Sequence, residues 1–396
     1  MKTIETEKIP IKMWLEEIED NTMEQVKNIA NLPFAFKHIA IMPDSHLGYG
    51  MPIGGVLATK DVIIPNAVGV DIGCGMCAVK TSLTELNTET LKKIMSEIRK
   101  TVPVGFAKHK ETQDIKLPLP WISRGEYQGK LYPIIEKESE KMFHQVGTLG
   151  GGNHFIEIQK GNDGHIWIMI HSGSRNLGFT VANYYNKLAI KLNEKWRTQV
   201  PGEWELAFLP IDSDEGQAYI KEMQYCVDFA LTNRKLMMER ILEIFQIQFT
   251  LQSPMFEALE FINIAHNYAT LEHHFGKNVW VHRKGATLAT EDTVGIIPGS
   301  QGTKSYIVKG KGNIFSFKSC SHGAGRKMGR KQAEKTLNLE EEVKKLDDQN
   351  VLHAIRGVKD LDEASGAYKS IDEVMRNQSD LVEILVELSP LGVIKG

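Results

Sequence analysis

Apolar residues recur along this chain with two different periods, and each period predicts a different kind of element. Over 88–101 and 136–145 they recur every three or four positions among charged residues, which predicts amphipathic helices. The same period over 215–245 predicts a long helix that packs on the core as a scaffold. A further helix, rich in charged residues, is predicted over 338–347.

Short apolar or β-branched runs, bounded by glycine, proline and aspartate, predict strands between these helices. The predicted strands cover 37–42, 55–65, 154–159, 165–170 and 278–282. A polar connection covers 108–128, and glycine-rich segments cover 147–153 and 295–325. No internal repeat, low-complexity linker or domain boundary interrupts this order. The pattern predicts a single α+β domain over 1–396, with mixed β-sheets flanked by helices.

The composition favours a globular protein with a large core. The chain has 396 residues, of which 42% are hydrophobic, and its net charge is −3. The overall charge does not indicate a nucleic-acid-binding protein, so such a site would need a local basic surface. From Thr293 to Ala333 there is no aspartate or glutamate, and this window holds Lys304, Lys309, Lys311, Lys318, Arg326, Lys327, Arg330 and Lys331. The window is either a phosphate-contacting surface or a solvated basic face.

Cysteine usage and the N-terminal sequence predict a cytosolic protein. The four cysteines are Cys74, Cys77, Cys226 and Cys320, too few and too scattered for a disulfide framework. The N-terminal segment MKTIETEKIPIK has no apolar signal region. No apolar run approaches the roughly 18 residues that a membrane-spanning helix needs.

The segment SCSHGAGR, Ser319–Arg326, places one histidine among small residues and ahead of an arginine. The imidazole of His322 could form a covalent bond to phosphorus, while nearby backbone N–H groups could donate to anionic oxygens and the Arg326 guanidinium could neutralise their charge. A glycine turn with a solvated histidine is the alternative interpretation.

A second group of residues offers metal ligands among glycines. In VDIGCGMC, Asp71 and Cys74 can converge on one ion within a tight turn. The upstream Asp44-Ser45-His46 segment adds a carboxylate and an imidazole. Cys74-x-x-Cys77 also matches half of a zinc site or a redox pair, but no second cysteine pair follows.

Three histidines next to glycine, asparagine or serine supply further candidate ligands: His154, His171 and His266. A lone histidine in such a position is usually a core or surface residue. A set of thiolate, imidazole and carboxylate ligands suits a divalent ion such as zinc or manganese. The tripeptide His282-Arg283-Lys284 is a further candidate for phosphate contact.

Ten motifs now stand in one order along the chain: MPDSHLGYGMPIGG, VGVDIGCG, GGGNHF, HSGSR, AHN, HRKGA, PGSQGT, SHGAGR, GAYKSIDEV and LGVIKG. Through these motifs the chain resembles the RtcB-type RNA ligases over nearly its whole length. Its compact length is similar to that of bacterial members of that family.

The resemblance implies a role for each motif residue. His322 would be the nucleophile that takes GMP from GTP. Two manganese ions would be held by Asp71, Cys74, His154, His171 and His266, with Cys74 bridging them. The nucleotide would be bound by Asn153, Glu157, Asn267, Ser300, Ser305, His322, Gly323, Ala324, Gly325, Tyr368 and Lys395, and phosphates of GTP or RNA by Arg175, Arg326 and Lys327. Asn267 would also support the neighbouring His266.

The implied reaction joins RNA ends in RNA repair or tRNA splicing. A 2′,3′-cyclic phosphate is opened to a 3′-phosphate, GMP is transferred onto it, and a 5′-hydroxyl displaces the GMP. Ser365 departs from the family pattern, which has a proline there. Two alternatives stay open from the residues: a metal-dependent phosphoesterase or cyclic phosphodiesterase without nucleotide transfer, and a non-catalytic RNA-binding module.

Overall fold

Two large β-sheets with helices packed against them organise the computed structural model of the chain, which describes residues 1–114, 132–250 and 255–396. The strands are β1 (Lys2–Ile4), β2 (Ile11–Met13), β3 (Ala35–His46), β4 (Ile53–Thr59), β5 (Val62–Ile63), β6 (Gly75–Thr81), β7 (Phe155–Gly161), β8 (Ile166–Ser172), β9 (Leu209–Pro210), β10 (Ala258–Ala265), β11 (Asn267–His274), β12 (Lys277–Lys284), β13 (Ala286–Leu288), β14 (Val294–Ile297), β15 (Ser305–Gly310), β16 (Ser319–Ser321) and β17 (Val382–Lys395). The α-helices are α1 (Asp20–Ala30), α2 (Pro65–Val68), α3 (Thr88–Thr101), α4 (Pro133–Gln145), α5 (Arg175–Trp196), α6 (Asp214–Gln248), α7 (Arg330–Thr336), α8 (Leu339–Asp347) and α9 (Ile371–Asn377). Short 3-10 helices cover Gly202–Trp204, Ile314–Ser316, Val358–Glu363 and Ser365–Ala367.

The two sheets differ in how their strands pair. The first has the order β1-β2-β3-β4-β12-β11 and is mixed, because β2 and β3 are parallel while its other pairs are antiparallel. The second has the order β10-β6-β8-β7-β17-β15-β14 and is antiparallel throughout. The predicted α+β fold with mixed sheets and flanking helices is therefore confirmed.

The C-terminal strand β17 lies inside the second sheet, between β7 and β15. Its end pairs with the start of β7, so that Lys395 stands opposite Phe155. The last lysine of the chain is thus fixed by sheet pairing.

Most predicted elements lie where the periodicity placed them. The helix over Thr88–Thr101 has the predicted bounds, and the helix over 215–245 extends by one residue at its start and three at its end. The prediction of one strand over 55–65 was wrong. The chain turns at Asp61, whose φ is 59°, and Pro65 begins α2, because its fixed φ suits the first turn of a helix. Residues 115–128 of the predicted polar connection lie outside the described residues.

The long helix α6 packs against β6, β8 and β10 of the second sheet. Its buried face includes Phe229, Met237 and Ile241, and full burial of such a side chain contributes about 1.5–3 kcal/mol. No helix in the described ranges is long and apolar enough to cross a bilayer.

Candidate active site

The ends of four neighbouring strands bring the predicted metal ligands together. Cys74 directly precedes β6, His154 precedes β7, His171 lies near the end of β8, and His266 follows β10. The registers of these strands align the four ends at one edge of the second sheet. Asp71 joins them through a tight turn in which the Cys74 N–H donates to its carbonyl oxygen at 3.1 Å.

The donor atoms form two overlapping groups that share one thiol. The Cys74 Sγ atom lies 3.5 Å from His154 Nε2 and 3.3 Å from His171 Nε2. His171 Nε2 lies 3.4 Å from His266 Nε2, and His154 Nε2 lies 3.1 Å from Asp71 Oδ2. Each group, Asp71 with Cys74 and His154 or Cys74 with His171 and His266, has its donor atoms within 4.8 Å of one another. Each of the two groups could hold a metal ion, and Cys74 belongs to both.

Backbone carbonyls fix the orientation of two of the imidazoles. His154 Nδ1 donates to the Leu149 carbonyl and His171 Nδ1 donates to the Asn153 carbonyl, each at 3.0 Å. The protons therefore lie on Nδ1, and both Nε2 lone pairs face Cys74. Metal-ligating histidines in proteins are held in this way.

Charges in this cluster also favour a cation. Burial, followed by the neighbouring His154, lowers the pKa of His171 well below its usual value, which leaves a neutral imidazole. Burial and the nearby Asp71 raise the pKa of the Cys74 thiol well above its usual value. A divalent ion supplies the positive charge that converts such a thiol into a bound thiolate. The residues present thus fit a metal site.

Gly73 allows the loop that carries Asp71 and Cys74 to lie directly on α6. Its φ is +76°, and a Cβ there would come within 2.8 Å of the Val227 Cα. Only glycine meets both conditions without a shift of the backbone.

His322 lies beside the metal cluster and is held by a buried carboxylate. Its ring centroid is 4.8 Å from that of His266. His322 Nδ1 donates to Asp44 Oδ2 at 2.6 Å, and the same oxygen accepts the N–H groups of His322 and Gly323 at 3.0 and 3.2 Å. Although burial opposes it, the interaction with His322 holds the pKa of Asp44 below its usual value. The ionised Asp44 therefore keeps the proton on Nδ1 and leaves a lone pair on Nε2.

A pocket opens next to His322 and joins the metal cluster through His171. Ten of the predicted nucleotide or phosphate contacts line it: Asn153, Glu157, Ser300, His322, Gly323, Ala324, Gly325, Arg326, Tyr368 and Lys395. The other lining residues are His46, Ile53, Phe155, Pro298, Gly299, Gln301, Arg330, Glu363 and Val393. Gly325 has a φ of +73°, and a Cβ there would come within 2.1 Å of the Asp44 carbonyl oxygen.

Two titratable groups of the pocket lining, the buried Glu157 and the half-buried Lys395, have shifted pKa values. Burial raises the pKa of Glu157 to about 8, against an opposing hydrogen bond from Gln159. Burial also lowers the pKa of Lys395, against the attraction of Glu363. Glu157 is therefore largely protonated at neutral pH in the nucleotide-free protein.

Glu363 organises the cationic side of the pocket. Its buried carboxylate accepts hydrogen bonds from Arg326 Nη1 at 2.9 Å, from Arg330 Nε at 2.7 Å and from the Tyr368 hydroxyl. Burial opposes ionisation, but Lys395 and the two arginines hold the pKa of Glu363 below its usual value. One anion thus orients two guanidinium groups toward the pocket.

Four predicted contacts lie outside the pocket lining. Asn267 donates to the Asp71 carbonyl at 3.0 Å and accepts the Gly285 N–H at 2.7 Å, so it fixes the ligand loop. Ser305 is buried and accepts from Gln159 at 3.1 Å behind Glu157. Arg175 donates to the Thr148 hydroxyl and the Gly105 carbonyl, both at 3.0 Å. Lys327 is exposed in the neighbouring grooves.

The sequence did not reveal the partner of His322, and it wrongly suggested that His282 and Arg283 of the tripeptide His282-Arg283-Lys284 contact phosphate. Asp44 was predicted as a metal donor but contacts His322, and His46 Nδ1 donates to the Asp44 carbonyl at 2.9 Å. His282 and Arg283 are fully buried, and Arg283 pairs with Glu272, so neither is available to phosphate. Glu363 also went unnoticed, because no motif surrounds it.

Comparison with known proteins agrees with this geometry. The sequence model of the family described as tRNA-splicing ligase RtcB matches residues 25–396. The chain belongs to the RtcB family. The RNA-splicing ligase RtcB of Escherichia coli strain K12 is 40% identical, over 99% of this chain and 98% of its own length. The tRNA-splicing ligases RtcB of Methanococcus maripaludis and Thermococcus kodakarensis are 34% and 32% identical, over 97% and 96% of this chain and 93% and 92% of their own.

In this RtcB chain the position where a proline was expected carries a hydrogen bond instead. Ser365 Oγ donates to Glu342 Oε2 at 2.9 Å, and the Gly366 N–H donates to the same oxygen at 3.2 Å. Glu342 belongs to α8 and so anchors the turn that precedes Tyr368. A hydrogen bond to a carboxylate thus holds this turn where a proline ring would restrict φ.

Proposed function

We propose that this chain, an RNA ligase of the RtcB family, joins RNA 2′,3′-cyclic phosphate or 3′-phosphate ends to 5′-hydroxyl ends with GTP as the GMP donor, in RNA repair or tRNA splicing. The observation that carries the proposal is the position of His322. Its Nδ1 atom is held by Asp44, so that Nε2 is the nitrogen free to attack, while its ring packs against a proposed metal ligand and borders the pocket. Nucleotide transfer through a covalent intermediate needs a nucleophile between the donor groups and the nucleotide pocket, and His322 lies there.

His322 is the nucleophile in the first transfer. Its Nε2 lone pair attacks the α-phosphorus of GTP, an N–P bond forms, and pyrophosphate leaves. Asp44 accepts the hydrogen bond from Nδ1–H throughout, stays ionised and stabilises the positive charge that develops on the ring. Water opens a 2′,3′-cyclic phosphate to a 3′-phosphate. An oxygen of the 3′-phosphate attacks the phosphorus of the bound GMP, and the N–P bond to His322 breaks. The 5′-hydroxyl then attacks the activated 3′-phosphate, and GMP leaves.

The residues that would hold two Mn²⁺ ions are Asp71, Cys74, His154, His171 and His266. Soft thiolate and borderline imidazole donors with one carboxylate suit a first-row divalent ion. When bound, the ions supply positive charge to the phosphoryl groups. Asn267 supports the site through the Asp71 carbonyl.

The remaining pocket residues bind the nucleotide. Glu157 and Lys395 face the guanine, where an ionised carboxylate accepts from the donor edge of the base. The ribose and phosphates are contacted by Asn153, Ser300, Tyr368 and the backbone of Gly323-Ala324-Gly325. Ser305 supports the pocket through its hydrogen bond with Gln159. Arg326 neutralises phosphate charge, and Arg175 and Lys327 contact phosphates of GTP or RNA.

One domain over residues 1–396 and a cytosolic location complete the proposal. The site takes Asp44 from the first sheet and His171 and Glu157 from the second. A site built from both sheets needs them to act as one unit. Four free buried cysteines accord with a reducing compartment.

The test uses purified protein, Mn²⁺ and GTP labelled at the α-phosphate, followed by denaturing electrophoresis and acid treatment. We expect an acid-labile label that His322→Ala lacks, with metal content unchanged. His273→Ala is the matched control, because His273 is exposed and bonds only Asn278 among the contacts that the structure describes. A labelled His322→Ala protein would refute the nucleophile. Metal binding without any label in the wild type would favour the phosphoesterase, and absence of metal binding would favour the RNA-binding module.

A further inference from the structure

Two adjacent residues of α6, Asn233 and Arg234, are fully buried although both are polar. Neither lines the nucleotide pocket. Burial of a guanidinium is costly unless it is hydrogen-bonded, and a helix that served only to pack would carry apolar residues here. Burial lowers the pKa of Arg234 to about 10, so the group still carries a charge at neutral pH.

Asn233 joins two of the loops that carry metal ligands. Its Oδ1 atom accepts the N–H groups of Gly147 and Thr148 at 2.7 and 3.1 Å, in the loop that leads to His154. Its Nδ2 atom donates to the Ser172 hydroxyl and to the Gly173 carbonyl, each at 3.1 Å. Ser172 and Gly173 directly follow His171.

Arg234 joins the His171 loop to the loop that carries Cys74. Its Nη1 atom donates to the Gly73 carbonyl at 2.9 Å and to the Ser172 carbonyl at 2.8 Å. Its Nε atom donates to Asn263 Oδ1 at 2.7 Å and so fixes the guanidinium plane. A Cβ at Gly75 would come within 3.0 Å of Nη2, so the chain on both sides of Cys74 lies against this side chain.

We propose that Asn233 and Arg234 form a clamp that fixes the spacing of the loops carrying Cys74, His154 and His171. They are positioning residues, and the proposal rests on the metal site proposed above. Two ions that share one thiolate require these three ligands at defined separations. The clamp sets the separations through backbone atoms one to seven residues from each ligand, before any ion binds.

The test is a Co²⁺ titration of the full chain, followed by the thiolate-to-cobalt charge-transfer absorption. We expect Asn233→Ala and Arg234→Met to bind Co²⁺ about 10- to 100-fold more weakly, the usual loss when a group that supports a metal ligand is removed. Asn193→Ala is the control, because Asn193 is a buried asparagine on α5 that bridges the backbone N–H and carbonyl of Phe208. It should lower the melting temperature of the metal-free chain and leave Co²⁺ affinity within about twofold.

Milder changes keep the test decisive if the first variants do not fold. Asn233→Asp retains the oxygen that accepts and loses the NH₂ group that donates. Arg234→Lys retains the positive charge and loses the planar guanidinium with its several N–H donors. Both variants should bind Co²⁺ more weakly. Folded variants that bind Co²⁺ as tightly as the wild type would overturn the clamp. A wild-type chain that binds Co²⁺ but takes no label from GTP would refute the proposed ligase function and leave the clamp in place.

Discussion

Replacement of Asp44 by asparagine tests the role of the negative charge behind His322. Asparagine has nearly the same shape as aspartate, and its amide oxygen can take the place of Oδ2, which accepts His322 Nδ1 at 2.6 Å and the N–H groups of His322 and Gly323. The proton therefore stays on Nδ1, and Nε2 keeps the lone pair that attacks phosphorus. The variant lacks the negative charge that stabilises the positive charge developing on the ring.

The expected loss can be worked out from the bond that changes. A hydrogen bond to a charged group contributes about 1.5–3 kcal/mol, against about 0.5–1.5 kcal/mol for a hydrogen bond between neutral groups. A loss of about 1–2 kcal/mol in the stabilisation of the developing positive charge corresponds to a rate about 5- to 30-fold lower.

The assay is the single-turnover rate of GMP attachment to the protein at saturating GTP. Metal content measured on the same sample should stay at the wild-type value, because Asp44 belongs to neither donor group. Asp163→Asn is the control, since Asp163 bonds Lys80 and Trp167 at the opposite end of β7 and β8. A rate for Asp44→Asn within about twofold of the wild type, with normal metal content, would refute this role of the Asp44 charge.

Three further changes test other parts of the site. Cys74→Ala removes the sulfur shared by both donor groups, so bound Mn²⁺ measured by elemental analysis should fall together with activity; unchanged stoichiometry would contradict the bridging role. Because burial raises the pKa of Glu157 to about 8 and guanine binding favours the carboxylate, GMP affinity measured by calorimetry should rise between about pH 6 and 8 and then level off. Glu157→Gln should abolish this slope, and a slope that persists would assign it to another group. Glu363→Gln should lower the free energy of unfolding, measured with urea, by about 2–3 kcal/mol, because charged hydrogen bonds to two arginines are weakened; a stability equal to that of the wild type would show that the arginines find other partners.

The sequence selected the residues of the clustered donor set better than it selected their supports. Cys74 and the three histidines each stand next to glycine, serine or asparagine, and Asp71 lies two residues from Gly69 and Gly73, so residue type and local turn chemistry were enough to select them. The contact between Asp44 and His322 joins residues 278 positions apart. Such a contact depends on how β3 approaches the segment after β16, which periodicity along the chain does not describe. Glu363 lies in a short 3-10 helix without any motif, and it acquires its role only when Arg326 and Arg330 fold back onto it.

The long helix α6 shows why a correct element can still hide a function. Its apolar period correctly predicted a buried helix, and a period is set by the majority of its residues. Asn233 and Arg234 are exceptions within that majority, so the pattern treats them as minor interruptions. Their burial is informative only together with their partners, the backbone groups of Gly73, Gly147, Thr148 and Ser172–Gly173. A buried polar pair inside an otherwise apolar helix face is therefore a signal that sequence can supply, although the loops it holds become visible only in the folded chain.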